Sequence, residues 1–295
     1  MSTSQEEGVS KVETMTIDRG LRDTTKSSEF LDLDIPSPGI HQRFTRGWLA
    51  HNSHANNAFR SLRAFGLTKG ASVLDLVALD MAGTTIDDHG LVYTALAASV
   101  RETGASVAPL DLQTWMGTDK VTAIDALIRL GGVTPNPDST AAAFERFRII
   151  LAESYQATPP VALPGVEKAL EQLKSLGVSI ALTTGFDDAI ALPILDLLGW
   201  RIGDLLDAVV TTSDVPSGRP APYLIHRAME RTGTIDVRRV LAAGDTFVDL
   251  GAARNAGVIA VGVLTGSLSR AELESQPHDY ILDSVAEILH LPELI

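Results

Sequence analysis

One stretch of the chain, residues 76–88 with the sequence LVALDMAGTTIDD, constrains the fold more than any other. It begins as a continuous apolar run that ends at Asp80, which is typical of a strand buried on both faces of a parallel sheet. Because small turn-forming residues follow, we expect Asp80 at the carboxyl end of the strand, where open α/β sheets bind ligands. Ala82 lies two residues further on, where an acidic side chain would serve as general acid. A reaction at Asp80 must therefore release its leaving group without a proton from position 82.

Segments typical of strands and of helices alternate after this stretch. Short β-rich runs separated by helix-length segments predict an α/β fold with a doubly wound, Rossmann-like parallel sheet. The predicted strands cover residues 73–79, 178–183, 208–212, 240–243 and 258–263.

Helical periodicity replaces this alternation between the first two predicted strands. Three segments, residues 91–103, 112–130 and 139–156, predict an inserted helical cap above the sheet edge, and a fourth, 164–177, returns to the core. The polar N-terminal region predicts a largely flexible extension with one helix at about residues 51–65. The predicted boundaries are 1–70 for the extension, 71–87 and 164–295 for the core, and 88–163 for the cap.

The composition excludes several classes of function. A formal net charge of -13 and a sequence pI near 4.9 argue against nucleic acid or an anionic membrane as the main partner, because both require clustered Lys and Arg. The absence of cysteine excludes disulfides, thiolate metal sites and a cysteine nucleophile. No apolar run reaches the roughly 18 residues of a membrane span, so we expect a cytoplasmic protein.

Further groups of functional side chains follow other predicted strands. Thr184 and Gly185 offer a hydroxyl for a phosphoryl oxygen at a point where the backbone can approach a ligand closely. Arg219 lies between glycine and proline in a turn, where its guanidinium could neutralise phosphate and orient an attacking carboxylate. Asp245 and Asp249 are four residues apart and would share one face of a helical turn.

These oxygen-rich groups predict a magnesium site. Asp80, Asp245, Asp249 and the backbone carbonyl of Ala82 would supply the hard ligands that Mg²⁺ prefers. Taken singly, each group is explained as well by a helix cap, a turn or a solvated acid. Their order along the chain, each at the end of a strand, favours a phosphoryl-transfer site. The glycine-rich and zinc- or serine-hydrolase signatures of other enzyme classes do not occur in the sequence.

On these motifs the chain resembles the haloacid dehalogenase superfamily, over about residues 72–290. The four motifs of that superfamily look like DMAGTT, Thr184, Arg219 and GDTFVD here. Alanine at position 82, and arginine at 219 where most members use lysine, are similar to the phosphonoacetaldehyde hydrolase (phosphonatase) branch. The segment WMGTDK, residues 115–120, resembles the branch's segment with a Schiff-base lysine, which implies that role for Lys120.

The resemblance implies one mechanism that explains both Lys120 and Ala82. Breaking a carbon–phosphorus bond leaves a carbanion, and an imine of Lys120 with a carbonyl β to phosphorus would accept those electrons as an enamine. Asp80 would attack phosphorus, while magnesium, Thr184 and Arg219 would hold the phosphoryl charge. The residues that the resemblance implies for substrate binding are Thr84, Met116, Gly117, Gly185 and Phe186.

The chain departs from the phosphonatase branch at several positions. Met81 replaces an aromatic residue, Phe186 replaces a tyrosine, and Ala123 stands where the branch has a histidine three residues after the lysine. The cap-linker cysteine of the branch has no counterpart. His89 could carry the protons that this histidine would handle, or be an ordinary linker residue.

Our leading hypothesis is a magnesium-dependent hydrolase that cleaves the carbon–phosphorus bond of a small 2-oxoalkylphosphonate through a Lys120 imine and an Asp80 phosphoenzyme. One alternative is a phosphatase for a small phosphate monoester, and another is a catalytically silent protein that binds a phosphometabolite. Apolar cap residues Leu91, Val92 and Leu96 favour either a homodimer through the cap or packing inside it.

Overall fold

A six-stranded sheet forms the centre of the structure, a computed structural model that describes residues 73–294. The predicted extension and its helix near residues 51–65 lie outside this range. The strands of the described chain are β1 (Leu76–Asp80), β2 (Ile86–Asp87), β3 (Val161–Ala162), β4 (Ser179–Thr183), β5 (Ala208–Val210), β6 (Val240–Gly244), β7 (Ile259–Val263) and β8 (Tyr280–Leu282). The sheet has the order β5-β4-β1-β6-β7-β8, and every neighbouring pair is parallel. The predicted α/β fold is therefore confirmed, with β8 as an edge strand that the sequence did not indicate.

The central strand β1 is buried on both faces, and its alternating side chains enter two separate cores. Val77 and Leu79 belong to a core that includes Leu170 of α5, whereas Leu76 and Ala78 belong to one that includes Leu224 of α7. This two-sided burial explains why β1 reads as a continuous apolar run. The nine α-helices of residues 73–294 are α1 (Leu91–Glu102), α2 (Pro109–Thr114), α3 (Lys120–Leu130), α4 (Pro137–Ala157), α5 (Val166–Ser175), α6 (Asp188–Leu198), α7 (Tyr223–Thr232), α8 (Phe247–Ala256) and α9 (Arg270–Glu274).

Helices α1 to α4 lie in the chain between β2 and β3, which pair with each other in antiparallel fashion. The single helix expected over residues 112–130 is wrong, because α2 and α3 are separated by a loop over residues 115–119. Gly117 has a φ of +77° and Asp119 caps α3 by accepting a hydrogen bond from the Thr122 amide. A left-handed residue and a helix cap both interrupt a continuous helix.

The apolar cap residues that suggested a dimer pack inside the cap. Val92 and Leu96 are buried, and Leu91 packs against the same core. Most of their apolar surface is therefore used inside the cap, and the homodimer stays a prediction. Over residues 73–294, we find no helix with the length and hydropathy needed to cross a membrane.

Candidate active site

The carboxyl ends of the central strands meet at one edge of the sheet and carry the predicted site residues. Asp80 is the last residue of β1 and is in register with Thr183, the last residue of β4. Thr184 follows directly, and Asp245 follows Gly244 at the end of β6 on the other side of β1. Parallel pairing alone therefore brings these three functional side chains to the same edge.

Three buried carboxylates form the centre of this edge. Asp80, Asp245 and Asp249 each have an oxygen atom that lies within 4.8 Å of the others. Asp249 projects from the first turn of α8, and it closes a capping box there by accepting a hydrogen bond from the Thr246 amide. The helical turn begins at Phe247, so Asp249 lies in its first turn and Asp245 lies just before the N-cap, Thr246.

Arg219 lies behind the carboxylates and compensates part of their charge. Its guanidinium donates to Asp80 Oδ1 at 2.5 Å and to the Thr183 carbonyl at 2.8 Å, and it forms an ion pair with Asp249. Only 5% of the residue is exposed. A buried guanidinium shared by two carboxylates fixes their orientation.

One guanidinium does not neutralise three carboxylates, and the pKa shifts reflect this excess. Burial, with the nearby Asp80 and Asp249 charges, raises the pKa of Asp245 well above its ordinary value. Burial also raises the pKa of Asp249 to about 6, although Arg219 opposes the shift. A divalent cation among these hard oxygen donors would remove the repulsion, so the donor set fits a metal ion of the magnesium type.

The turn after β1 packs tightly against the carboxylates. Thr84 is fully buried and donates its hydroxyl to Asp245 Oδ1 at 3.1 Å. Gly83 has a φ of +82°, and a Cβ at that position would lie 2.6 Å from Asp245 Oδ2. Only glycine therefore fits this contact.

Lys120 extends from the start of α3 into the same region. The residue is 4% exposed, and its amine donates to the Thr118 carbonyl at 3.2 Å and lies 5.6 Å from the centre of the Phe186 ring. Burial lowers the pKa of Lys120 to about 8, which the Asp80 carboxylate opposes and Arg219 reinforces. Far more of this amine is therefore uncharged near neutral pH than in an exposed lysine.

A cavity of about 280 Å³ connects the strand ends to the cap. Its size is close to the lower limit of about 300 Å³ for small-molecule pockets. Thr84, Arg219 and Asp249 are not on its wall, whereas the other predicted site residues are. The wall is formed by Asp80, Ala82, Gly83, Asp87, Asp88, Gly90, Val92, Tyr93, Met116, Gly117, Lys120, Thr184, Gly185, Phe186, Asp245, Thr246, Thr265, Gly266 and Ser267.

Two groups on this wall were missed by the sequence analysis. Tyr93 on α1 shares a hydrogen bond of 3.1 Å with Ser267 in the loop after β7. Thr265, in the same loop, donates to the Gly83 carbonyl at 2.6 Å. The segment TGS after a predicted strand was a usable signal for the loop, but nothing near Tyr93 in the sequence pointed to a site.

His89 lies in the linker and does not line the cavity. Its Nε2 is 3.2 Å from the Pro159 carbonyl and its Nδ1 is 3.5 Å from Asp87. This position fits the ordinary linker histidine rather than a proton carrier for Lys120.

The cap loop contacts the core through glycines. A Cβ on Gly117 would lie 2.5 Å from Thr246 Oγ1, and one on Gly185 would lie 2.6 Å from the Thr118 carbonyl oxygen. A side chain at Gly185 would require a shift of the backbone, and one at Gly117 would displace the side chains of Thr246 and Val248. The loop that precedes Lys120 therefore contacts the residues that directly follow β4 and β6.

Comparisons with known proteins agree with this geometry. A sequence model of the haloacid dehalogenase-like hydrolase family matches residues 74–257. The phosphonoacetaldehyde hydrolase of Parabacteroides distasonis is 28% identical over 255 residues, which cover 72% of this chain and 93% of that protein. The phosphonoacetaldehyde hydrolase of Lactiplantibacillus plantarum is 30% identical over 251 residues, which cover 72% and 92%.

Among solved structures, a hydrolase from Pseudomonas syringae has a similar fold. It superposes with a TM-score of 0.67 at 22% identity, over 73% of this chain and 96% of that chain. The residues that match the family model, 74–257, include the strand ends that carry Asp80 and Asp245. The chain therefore belongs to the haloacid dehalogenase-like hydrolase family, in its phosphonoacetaldehyde hydrolase-like branch.

Proposed function

We propose that the protein cleaves the carbon–phosphorus bond of a small 2-oxoalkylphosphonate such as phosphonoacetaldehyde. The observation that carries this proposal is the buried amine of Lys120, which faces the same cavity as Asp80. Hydrolysis of a phosphate ester breaks a phosphorus–oxygen bond and needs no electron sink on carbon, so a lysine has no covalent role in it. The names of the two curated relatives support the same reaction.

Lys120 would begin the reaction as a nucleophile. With a pKa of about 8, about one amine in four is uncharged at pH 7.5, whereas at the ordinary value of 10.5 the share is about one in a thousand. Its attack on the substrate carbonyl forms an imine and expels water. Once the imine is protonated, electrons released at the neighbouring carbon can move to nitrogen.

Asp80 would then attack phosphorus. Arg219 holds the carboxylate by a hydrogen bond to Oδ1, which orients the other oxygen for attack. The phosphoryl group moves to Asp80 while the carbon–phosphorus electrons form an enamine. The leaving carbon therefore needs no proton from position 82, where Ala82 has none to give. A proton from solvent then adds to the terminal carbon of the enamine and restores an imine. Water subsequently hydrolyses the aspartyl phosphate and this imine.

We propose Mg²⁺ as the cofactor, held by Asp80, Asp245, Asp249 and the Ala82 carbonyl. When bound, the ion would supply positive charge for the phosphoryl oxygens. Thr184 lies on the cavity wall beside Asp80, where its hydroxyl can donate to one of those oxygens. Met116 and Phe186 would exclude water around the imine.

The main alternative is a phosphatase for a small phosphate monoester. It is favoured because the residues that would hold the phosphoryl group, Asp80, Thr184 and Arg219, all belong to the core. None of them depends on Lys120 of the cap. Its leaving group would need no proton from position 82, as with an activated ester.

Phosphate release separates the two functions. The unchanged protein should release phosphate from phosphonoacetaldehyde faster than from p-nitrophenyl phosphate, and Lys120→Ala should remove only the first activity. Lys168→Ala, which changes an exposed lysine on α5, is the matched control and should leave both rates unchanged. Normal cleavage of phosphonoacetaldehyde by Lys120→Ala would refute the proposed function.

A further inference from the structure

Hydroxyl groups on the cavity wall differ in whether their protons are already used. Thr246 donates its hydroxyl proton to the Asp249 carboxylate. Thr265 donates its proton to the Gly83 carbonyl at 2.6 Å. Neither hydroxyl can therefore donate to a ligand without breaking a bond that supports the carboxylate cluster or the turn after β1.

Thr184 has a free proton but stands at the phosphoryl end of the cavity. Its Oγ1 accepts a hydrogen bond of 3.1 Å from the Phe186 amide, which leaves the proton available. Thr184 directly follows Thr183, which is in register with Asp80 on the adjacent strand. Its proton is therefore placed to serve the phosphoryl oxygens.

The acids in the linker cannot donate either. Asp88 accepts hydrogen bonds from the Gly90 and Val92 amides, one on each carboxylate oxygen. Asp87 accepts one from the His89 amide at 2.8 Å. Carboxylates in this state are acceptors only, so they repel rather than bind a carbonyl oxygen.

Tyr93 and Ser267 are the remaining hydroxyls among the described residues of the wall. They share one hydrogen bond of 3.1 Å, and either atom can be the donor. Two hydroxyls have two protons and this bond uses one, so the pair always has one proton left for a ligand. Burial raises the pKa of Tyr93 to about 12, which keeps the phenol protonated at working pH.

We infer that Tyr93 and Ser267 act as one hydrogen-bond donor to the carbonyl oxygen of the substrate, the oxygen that leaves when Lys120 forms its imine. This inference rests on the proposed function and adds two residues to it. Among the side-chain hydroxyls and linker acids of the wall it follows by elimination, since Thr184 serves phosphorus, the other two threonines are committed and Asp87 and Asp88 cannot donate.

The proton balance of imine formation fits this pair. As the Lys120 nitrogen bonds to carbon, the π electrons of the carbonyl move to oxygen, which takes the free proton of the pair. The nitrogen then gives a proton back to the pair, and the carbinolamine is complete. A second proton, taken up from solvent through the pair, lets the hydroxyl leave as water while the C=N bond forms, so the pair itself stays protonated. The water that later hydrolyses the product imine returns that proton.

The experiment is the rate at which borohydride traps Lys120 in the full chain with phosphonoacetaldehyde. Tyr93→Phe and Ser267→Ala should each slow trapping about 10-fold, because the other hydroxyl still donates, and the double variant should slow it about 100-fold or more. Ser267→Thr keeps a hydroxyl and should restore trapping to within about threefold. Tyr155→Phe, which removes a cap hydroxyl outside this cavity, is the matched control.

Each outcome decides the inference. Trapping by the double variant within twofold of the unchanged protein would overturn it, as would an equal loss in Tyr155→Phe. If the double variant also has a clearly lower unfolding midpoint and is no longer stabilised by magnesium, the two residues have a structural role. That result would overturn the inference too. If the unchanged protein is never labelled, the proposed function itself fails, and the inference fails with it.

Discussion

Lys120 carries an amine whose proton is held less tightly than that of an exposed lysine. Burial lowers its pKa to about 8, so the reactive uncharged form grows about tenfold for each pH unit below that value. We therefore expect kcat/KM for phosphonoacetaldehyde to rise from pH 6 and to level off above about pH 8. A pH profile of phosphate release measures this limb.

The same profile with p-nitrophenyl phosphate is the control for this pH dependence. That substrate needs no amine, so its rate should lack the rise centred near pH 8. A flat profile for phosphonoacetaldehyde, or the same rise for both substrates, would contradict a nucleophilic Lys120.

Arg219 is the buried partner of two carboxylates, so its removal leaves them unpaired. Arg219→Met should lower the free energy of unfolding by about 3–5 kcal/mol, as measured by chemical denaturation without magnesium. Arg238→Met, which breaks an exposed ion pair with Asp236, should have a much smaller effect, because solvent screens that pair. Equal effects of the two substitutions would show that the Asp80 and Asp249 contacts of Arg219 do not stabilise the fold.

The sequence was informative where function is carried by residues directly after a strand. Asp80, Thr184 and Asp245 could be predicted because an apolar run and the residue that ends it are adjacent in the chain. Tyr93 and Ser267 could not, because they are 174 positions apart and meet only when α1 packs over the loop after β7. No local pattern encodes that contact.

The sequence predicted most strands of the sheet correctly but missed the break between helices α2 and α3. Strands β1, β4, β5 and β6 are buried throughout, so their apolar runs mark them without periodicity, whereas the partly buried edge strand β8 was missed. The break between α2 and α3 was missed because apolar residues continue at helical spacing on both sides of the loop over residues 115–119. Gly117 and Asp119 are the local signals that could have revealed it.

The cap loop and β4 approach each other only because Gly185 has no side chain. Gly185→Ala would place a Cβ 2.6 Å from the Thr118 carbonyl oxygen and displace the loop that precedes Lys120. Since a misplacement of about 1 Å can cost about 100-fold in rate, we expect a loss of that order in cleavage of phosphonoacetaldehyde. Steady-state phosphate release measures it.

Gly218→Ala is a matched control at the same cap contact. Its Cβ would lie 3.3 Å from the Asp119 Cβ, a distance that a small shift relieves, so its effect should be several-fold smaller. Equal activity of Gly185→Ala and the unchanged protein would show that the loop needs no close contact with β4.

The core and the cap together form one site, because Asp80 and Lys120 come from different sides of the cavity wall. Magnesium bound at the three carboxylates should stabilise the whole molecule, by about 2.7 kcal/mol at a concentration 100-fold above its Kd. Asp245→Asn should remove most of this gain, whereas Asp125→Asn, a change on cap helix α3, should keep it. Denaturation with and without the ion measures the difference, and an equal gain in both variants would place the ion elsewhere.

The most direct test of the account is the identity of the residue that borohydride labels during turnover. Reduction of the full-length protein with phosphonoacetaldehyde and magnesium should leave an ethyl group on Lys120, the trace of the product imine after loss of phosphate. Peptide mass spectrometry locates the group. Phosphate release without any label, or a label on another lysine, would contradict the account.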